Sequence, residues 1–297
     1  MPISAKGVAH ALVAYSIWGG FGLYFHLLAS VPAIEVLAHR IIWSALFVFG
    51  VLLLRGQLQS CIELLKAPSK LKRLLISSIL ISLNWGIYIW AVSQAQVVEA
   101  SLGYYLTPLV SVMLGVLILK EKISPHQLAA LVTATVGVGY RIYCEGGIPW
   151  IALALPFVFG LYGLARKQVD VEPLPGLLVE TALVLPLALA TFSWFELGNA
   201  EGGYFTTHPL LLIGAGVLTA VPLLAFASAA RLLPLSILGF ANYLTPSIQF
   251  VTAITLLDET VDTDTLISFI LIWIALAIFS RDLYQNLKRE RQLEKLS

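Results

Sequence analysis

Charge is what this chain has least of. Of its 297 residues only 12% are Asp, Glu, Lys or Arg, against about 25% in a soluble domain. Hydrophobic residues make up 59%, and the mean hydropathy is +0.88. That leaves too little polar surface to cover a water-soluble globule of this size. The net charge of +1 gives no electrostatic support for nucleic-acid binding. Cysteine is also scarce. Cys61 and Cys144 fall in loops expected on opposite sides of a membrane, which argues against a disulfide, and neither has metal-ligand neighbours. There is no glycine-rich phosphate loop, which excludes an ATP-driven pump. There is no Ser/His/Asp order and no ligand cluster, so no catalytic residue, metal or cofactor is expected. His10, His26, His126 and His208 are scattered near helix ends in solvated roles. The first apolar run is too long for a cleavable signal and lacks a small-residue cleavage site followed by a soluble domain. It reads as a first membrane span.

What is present is a series of apolar runs of roughly 18–22 residues, the length that crosses about 30 Å of hydrocarbon. They cover 7–29, 35–54, 74–93, 98–119, 126–143, 149–166, 175–194, 208–230, 235–257 and 264–282. Only helices or a closed barrel satisfy the backbone in lipid, and these runs are too continuous for the alternation of barrel strands. The expected fold is an all-α integral membrane protein with ten transmembrane helices. Linkers are short; the longest lie around Lys66–Arg73 and Glu196–Thr207. The polar tail from Arg281 to Ser297 has a helical pattern and suits solvent or headgroups.

One motif occurs twice. Tyr105-Leu106-Thr107-Pro108 is followed thirteen residues later by Glu121, and Tyr243-Leu244-Thr245-Pro246 thirteen residues later by Glu259. The offset is 138 at both ends, which marks a duplication. Basic residues fix the orientation. With the N-terminus in the cytoplasm, 16 of the 18 Lys and Arg lie on cytoplasmic ends, all but Arg40 and Arg141. The opposite loops carry Glu145, Glu196, Glu201, Asp258, Glu259, Asp262 and Asp264. Both termini are therefore expected inside. Ten spans in two copies give five per half, so the second half enters the membrane inverted. Inverted repeats place a site near the midplane that can open to each side in turn, and this argues for transport.

Several stretches bear a family likeness: Ala38-His39-Arg40, Asn84-Trp85-Gly86-Ile87-Tyr88-Ile89-Trp90-Ala91-Val92, Glu99-Ala100-Ser101-Leu102-Gly103-Tyr104, Phe159-Gly160-Leu161-Tyr162-Gly163-Leu164 and Glu180-Thr181. Together they resemble the RarD branch of the EamA transporters, in the drug/metabolite transporter superfamily. The resemblance implies ten transmembrane helices as two inverted five-helix EamA repeats, over 1–144 and 145–283, with 284–297 as a cytoplasmic tail. It also implies a bacterial inner membrane and export of a small metabolite or drug-like solute. Where this branch carries Asn before the first proline, Thr107 stands here.

Ionisable groups inside lipid cost about 2.5–3.5 kcal/mol on insertion scales and persist when they face a cavity or a partner. His39 and Arg40 lie one turn into the second span. Arg40 either lines the cavity or snorkels outward, paired with Glu35. His39 can titrate near neutral pH and so couple protons to transport. Glu180, the acid most enclosed by apolar sequence, is either a proton- or cation-binding carboxylate or half of a salt bridge to Arg166, Lys167 or Arg231. An offset of 141 aligns it with His39 in the first half. Asn84, Trp85 and Tyr88 cluster on the third span, and Asn242 and Gln249 share a face of the ninth, with Tyr104, Tyr105 and Tyr243 preceding the prolines. An amide, a phenol and indoles suit a cavity for a mostly apolar solute; Asn84 equally suits an interhelical hydrogen bond. Pro108 and Pro246 are expected to kink their helices. The expected partners are a small-molecule substrate, membrane lipids and protons as the candidate coupling ion; monomer and homodimer stay open. The rival readings are a facilitated exchanger or uniporter of amino acids or amines, a membrane-embedded enzyme or lipid-handling protein, and a channel. The enzyme would need a catalytic constellation and the channel charged rings, and the sequence has neither.

Overall fold

The computed structural model describes residues 4–28, 30–93, 97–144, 146–147, 150–197, 204–256 and 262–294. Glu145, Glu201, Asp258 and Glu259 of the sequence analysis, and the last three residues of the tail, fall outside them. The described residues form thirteen helices and no strand. They are α1 (Ala5–Gly19), α2 (Phe21–His26), α3 (Ala33–Leu54), α4 (Leu58–Leu65), α5 (Pro68–Ser93), α6 (Val97–Leu117) and α7 (Pro125–Cys144). Then follow α8 (Trp150–Gln168), α9 (Pro173–Leu197), α10 (Pro209–Leu232), α11 (Leu235–Ala241), α12 (Leu244–Leu256) and α13 (Thr263–Glu294).

Among the described residues helices cover most of each expected apolar run, the first and ninth runs each being split into two helices. Seven helical stretches among the described residues are long and apolar enough to cross a membrane: 5–26, 33–54, 150–168, 173–196, 209–232, 235–256 and 263–288. Gly103–Leu117 is a shorter apolar helix. The chain is thus a multi-pass membrane protein. Its surface agrees. Leu128, Val132 and Val136 make an outward stripe on α7, each half or more exposed, while Glu35, His39, Arg166 and Glu180 are buried. A soluble protein distributes these residue types the other way round.

Local chemistry sets the helix ends. Ser4 caps α1 by accepting from Gly7 N–H at 3.2 Å. Ser124 and Gln127 form a reciprocal capping box ahead of α7, with both bonds at 3.1 Å. Three boundaries differ from expectation. Cys61 lies on the extra helix α4 rather than in a loop, and it is buried. Lys70, Lys72 and Arg73 belong to the first turns of α5, not to a linker. Glu196 is in the last turn of α9. The duplicated prolines also behave differently. Pro108 sits inside the continuous α6. The second copy instead breaks at Asn242–Tyr243, so Pro246 falls in the first turn of α12, where its missing N–H has no partner to lose.

In the packing, α3 lies against both α9 and α10, α5 against α8 and α9, and α6 against α8 and α11. The helix α1 packs on α10 and α12, and α7 on α13. Glycines permit the tightest approaches. A methyl group on Gly216 of α10 would lie 2.6 Å from the Ser44 backbone nitrogen of α3. One on Gly239 of α11 would lie 3.0 Å from the Pro108 carbonyl oxygen of α6.

Candidate functional site

The helix α3 sits between α9 and α10 and carries two polar groups that point different ways. At its first turn, Glu35 and His39 share a face (i, i+4), and the His39 Nε2 lies 3.8 Å from Glu35 Oε1 and 3.7 Å from Glu196 Oε1 of α9. The His39 ring is fixed from the other side. Trp43 Nε1–H donates to its Nδ1 at 3.1 Å, Phe205 stacks on it at 5.4 Å, and Phe192 meets it edge-on at 5.3 Å. Glu196 also accepts from the Phe205 backbone N–H at 2.8 Å. Both Glu35 oxygens are buried without a hydrogen bond among the described residues.

Arg40 turns away from this cluster. Its Nε donates to Thr219 Oγ1 of α10 at 2.8 Å. The guanidinium lies 5.5 Å from the Phe21 ring, 5.1 Å from Phe25 and 5.4 Å from Trp85, within the range of a cation–π contact. Tyr88 and Tyr104, whose rings are 5.9 Å apart, stand beside it. No carboxylate among the described residues pairs with it. The Glu35–Arg40 pair of the snorkelling alternative does not form, because residues five apart on a helix diverge and Glu35 turns to His39. Five aromatic rings and an unneutralised guanidinium thus converge where α2, α3, α5 and α6 meet. Such a group can hold an anionic moiety by charge and an apolar body by stacking.

Toward the other end, Glu180 of α9 pairs with Arg166 of α8 at 3.3 Å, with side chains 4% and 2% exposed. Ser77 Oγ of α5 donates to the same carboxylate, and Ser78 Oγ donates to the Glu180 carbonyl at 3.0 Å. Of the two readings of Glu180, the structure contains the salt bridge.

Residues 5–140 match the EamA-like transporter family. An uncharacterized transporter of Pseudomonas aeruginosa is 44% identical over 286 residues, 96% of each chain. Protein RarD of Salmonella typhi is 42% identical over 279 residues, 93% of this chain and 95% of its own. The chain belongs to the RarD branch of the EamA-like transporters. A solved crystal structure that is 17% identical superposes on it with a TM-score of 0.71, covering 92% of this chain and 96% of that one. At that identity the likeness concerns the fold alone.

In this EamA transporter the residues singled out from sequence, besides Glu180 in its pair with Arg166, divide into three groups. Arg40, Trp85, Tyr88 and Tyr104 come together, while His39, the residue before Arg40, faces Glu35 and Glu196 instead. Asn84 is buried, and its Nδ2 donates to the Leu155 carbonyl of α8 at 3.0 Å, so its amide joins two helices. Asn242, Tyr243 and Gln249 lie apart on the α11–α12 side; none has a hydrogen bond or ring contact with the Arg40 group among the described residues. Tyr243 is fully buried in the main core, its hydroxyl without a partner among the described residues. Sequence reasoning missed Glu196, Trp43, Phe205 and Thr219. The last three carry no motif. Glu196 was legible as an acid at the close of an apolar run, but its counterpart is 157 residues away.

Proposed function

We propose that this chain is a secondary transporter that exports a small organic solute across the bacterial inner membrane by alternating access. Its two halves, 1–144 and 145–283, act as inverted five-helix repeats in a ten-span protein, with both termini and the tail 284–297 in the cytoplasm. The packing supports this pairing. Exchange α1 with α8, α3 with α9, α5 with α10, α6 with α11–α12, and α7 with α13. The contact of α1 with α10 then becomes that of α8 with α5. That of α6 with α8 becomes that of α12 with α1, and that of α3 with α10 becomes that of α9 with α5. The pairs α3 with α9, α7 with α13 and α6 with α11 map onto themselves. His39 and Glu180 fall on exchanged helices, one in each polar cluster.

The observation that carries the site is Arg40. A guanidinium within a membrane span, without an acid partner among the described residues and ringed by Phe21, Phe25, Trp85, Tyr88 and Tyr104, favours a solute with an anionic group on an apolar or aromatic body. It opposes a simple amine, which would meet like charge. The alternative, a facilitated exchanger or uniporter, uses the same site without a coupling ion.

The test compares metabolite release by cells with and without the protein, followed by flux of each released compound in proteoliposomes. Carboxylates or other anions are expected among the compounds carried, with flux lost in Arg40→Ala and weakened in Arg40→Lys. Saturable transport of cationic solutes, indifferent to both substitutions, would overturn the assignment.

A further inference from the structure

We infer that Glu35 and Glu196 form a proton-binding pair that latches the ends of α3 and α9 together, with the His39 Nε2 facing it at 3.7–3.8 Å. This rests on the transporter reading, and it names the coupling ion and where that ion sits. Three potential ligand atoms from Glu35, His39 and Glu196 lie within 4.8 Å of one another, so a metal ion is the first occupant to consider. The His39 tautomer argues against it. Indole Nε1 can only donate, so the 3.1 Å bond from Trp43 requires Nδ1 to be the acceptor. A neutral imidazole then carries its hydrogen on Nε2, the atom that faces the two carboxylates. No lone pair remains there for a metal. The site offers two carboxylates and one N–H, a set that suits a proton.

Electrostatics leads to the same occupant. Glu35 is fully buried and Glu196 is 9% exposed, and no lysine or arginine pairs with either among the described residues. Two carboxylates this close in a dry site cannot both ionise. One shared proton leaves a single negative charge. Glu196 is the better place for that charge, since it already accepts the Phe205 N–H at 2.8 Å. The proton then sits on Glu35, whose oxygens otherwise have no bond, and gives Glu35 a donor toward Glu196. The other titratable groups at this end are engaged elsewhere. Tyr24 donates to the Leu211 carbonyl at 2.5 Å, His208 contacts Ser30 at 3.4 Å, and Arg40 is held by Thr219. Tyr204 packs in the cluster around Leu28, Val31 and Leu212.

Removing the proton would set two like charges side by side across the α3–α9 contact and push those ends apart. Proton loss and opening at this end are thereby one event. No covalent bond changes; the proton comes from and returns to water.

The experiment needs no solute. Infrared difference spectra of the full-length protein in liposomes, taken through a pH series, should contain a carboxylic-acid C=O band at neutral pH. The band should disappear in Glu35→Gln and in Glu196→Gln and persist in Glu180→Gln. Diethylpyrocarbonate modification, read site by site with exposed His126 as reference, should reach His39 in the wild type only as the pair loses its proton. Glutamine mimics the protonated acid, so each Gln variant should fold and should keep His39 protected throughout. A band that survives both substitutions would sink the proposal. So would His39 modification unaffected by them, or stoichiometric zinc binding lost in the same variants. Because solute flux is measured separately, intact flux without the band removes only the proton pair, and the band without flux removes only the transporter reading.

Discussion

The Glu121 carboxylate closes the N-terminus of the helix that begins at Leu235 and Ser236. It accepts the Leu235 N–H at 2.6 Å, and the Ser236 N–H and hydroxyl at 2.8 and 2.7 Å. Lys120, with φ of 53°, turns the chain so that Glu121 folds back over Gly115, where its own N–H meets the Gly115 carbonyl at 3.0 Å. A methyl group on Gly115 would lie 2.6 Å from the Glu121 carboxylate. The start of α11 follows Pro234, whose side chain cannot cap it, so its first N–H groups need an outside acceptor and favour a negative charge.

Glu121→Ala should therefore destabilise the protein by about 1–3 kcal/mol, the cost of leaving such donors without an acceptor. Glu121→Gln, which keeps one oxygen, should cost less. Thermal unfolding of the detergent-solubilised protein measures both. Equal midpoints for Ala and wild type would show that the cap contributes nothing.

The pair Arg166–Glu180 makes the opposite kind of prediction, since both charges are buried. Removing either one strands the other. Arg166→Met alone should cost about 3–5 kcal/mol. The double variant Arg166→Met, Glu180→Leu should recover most of that loss, because burying two well-packed apolar side chains in place of an ion pair is often neutral. A double variant that is as damaged as the sum of the singles would mean that the charges hold something besides each other.

How far the sequence reveals all this follows from the range over which each interaction acts. The helices were legible because hydropathy is local and lipid demands the length. The break at Asn242–Tyr243 was not, since both copies of the Tyr-Leu-Thr-Pro motif read alike. What differs is how each is packed, with Gly239 pressed on the Pro108 carbonyl. At the site, Glu35 and His39 were readable as one face of a helix. That Glu35 would turn from Arg40 to His39 depends on Glu196 and Phe205, which arrive from another helix and a distant turn. Glu180 was legible as an enclosed acid and Arg166 as a candidate partner, but only the folded geometry, with Arg166 Nη1 3.3 Å from Glu180 Oε1, selects Arg166 over Lys167 and Arg231. Lys167 instead donates to the Leu233 carbonyl, and Arg231 lies 3.5 Å from Asp170.

Close helix approach gives a third prediction. Gly216 of α10 faces Trp43 and Ser44 of α3, and the atoms a new methyl would strike are largely backbone. They cannot swing away, so α3 and α10 must separate. Gly216→Ala should cost about 1–3 kcal/mol and should also weaken flux, since Arg40 on α3 is anchored to Thr219 on α10. Gly50→Ala is the control. Nothing lies within 4 Å of the added methyl there, and the better helix former should leave stability unchanged or raise it by up to about 1 kcal/mol. Unfolding midpoints for the two variants that coincide would remove the packing argument.

The topology turns on α7, which is not among the seven helices whose length and hydropathy alone suffice to cross a membrane. Its two ends can be tested directly. Cys144 ends the helix and is exposed, and Cys61 is buried. Lys120, also exposed, lies five residues before α7 begins. If α7 crosses, a membrane-impermeant maleimide added to intact cells should modify Cys144. In a Cys144→Ser background, Lys120→Cys should be spared until the cells are permeabilised. The Arg141 side chain, 3.9 Å from Asp262 at the start of α13, would then sit on the outer side, one of only two basic residues to do so. Labelling of both positions from outside would leave α7 on one face of the membrane. The count of spans per half would become even, and the second half would no longer be inverted. With inversion gone, the exchange of α1 for α8 and of α3 for α9 would describe parallel copies, which cannot open one site to two compartments by trading conformations.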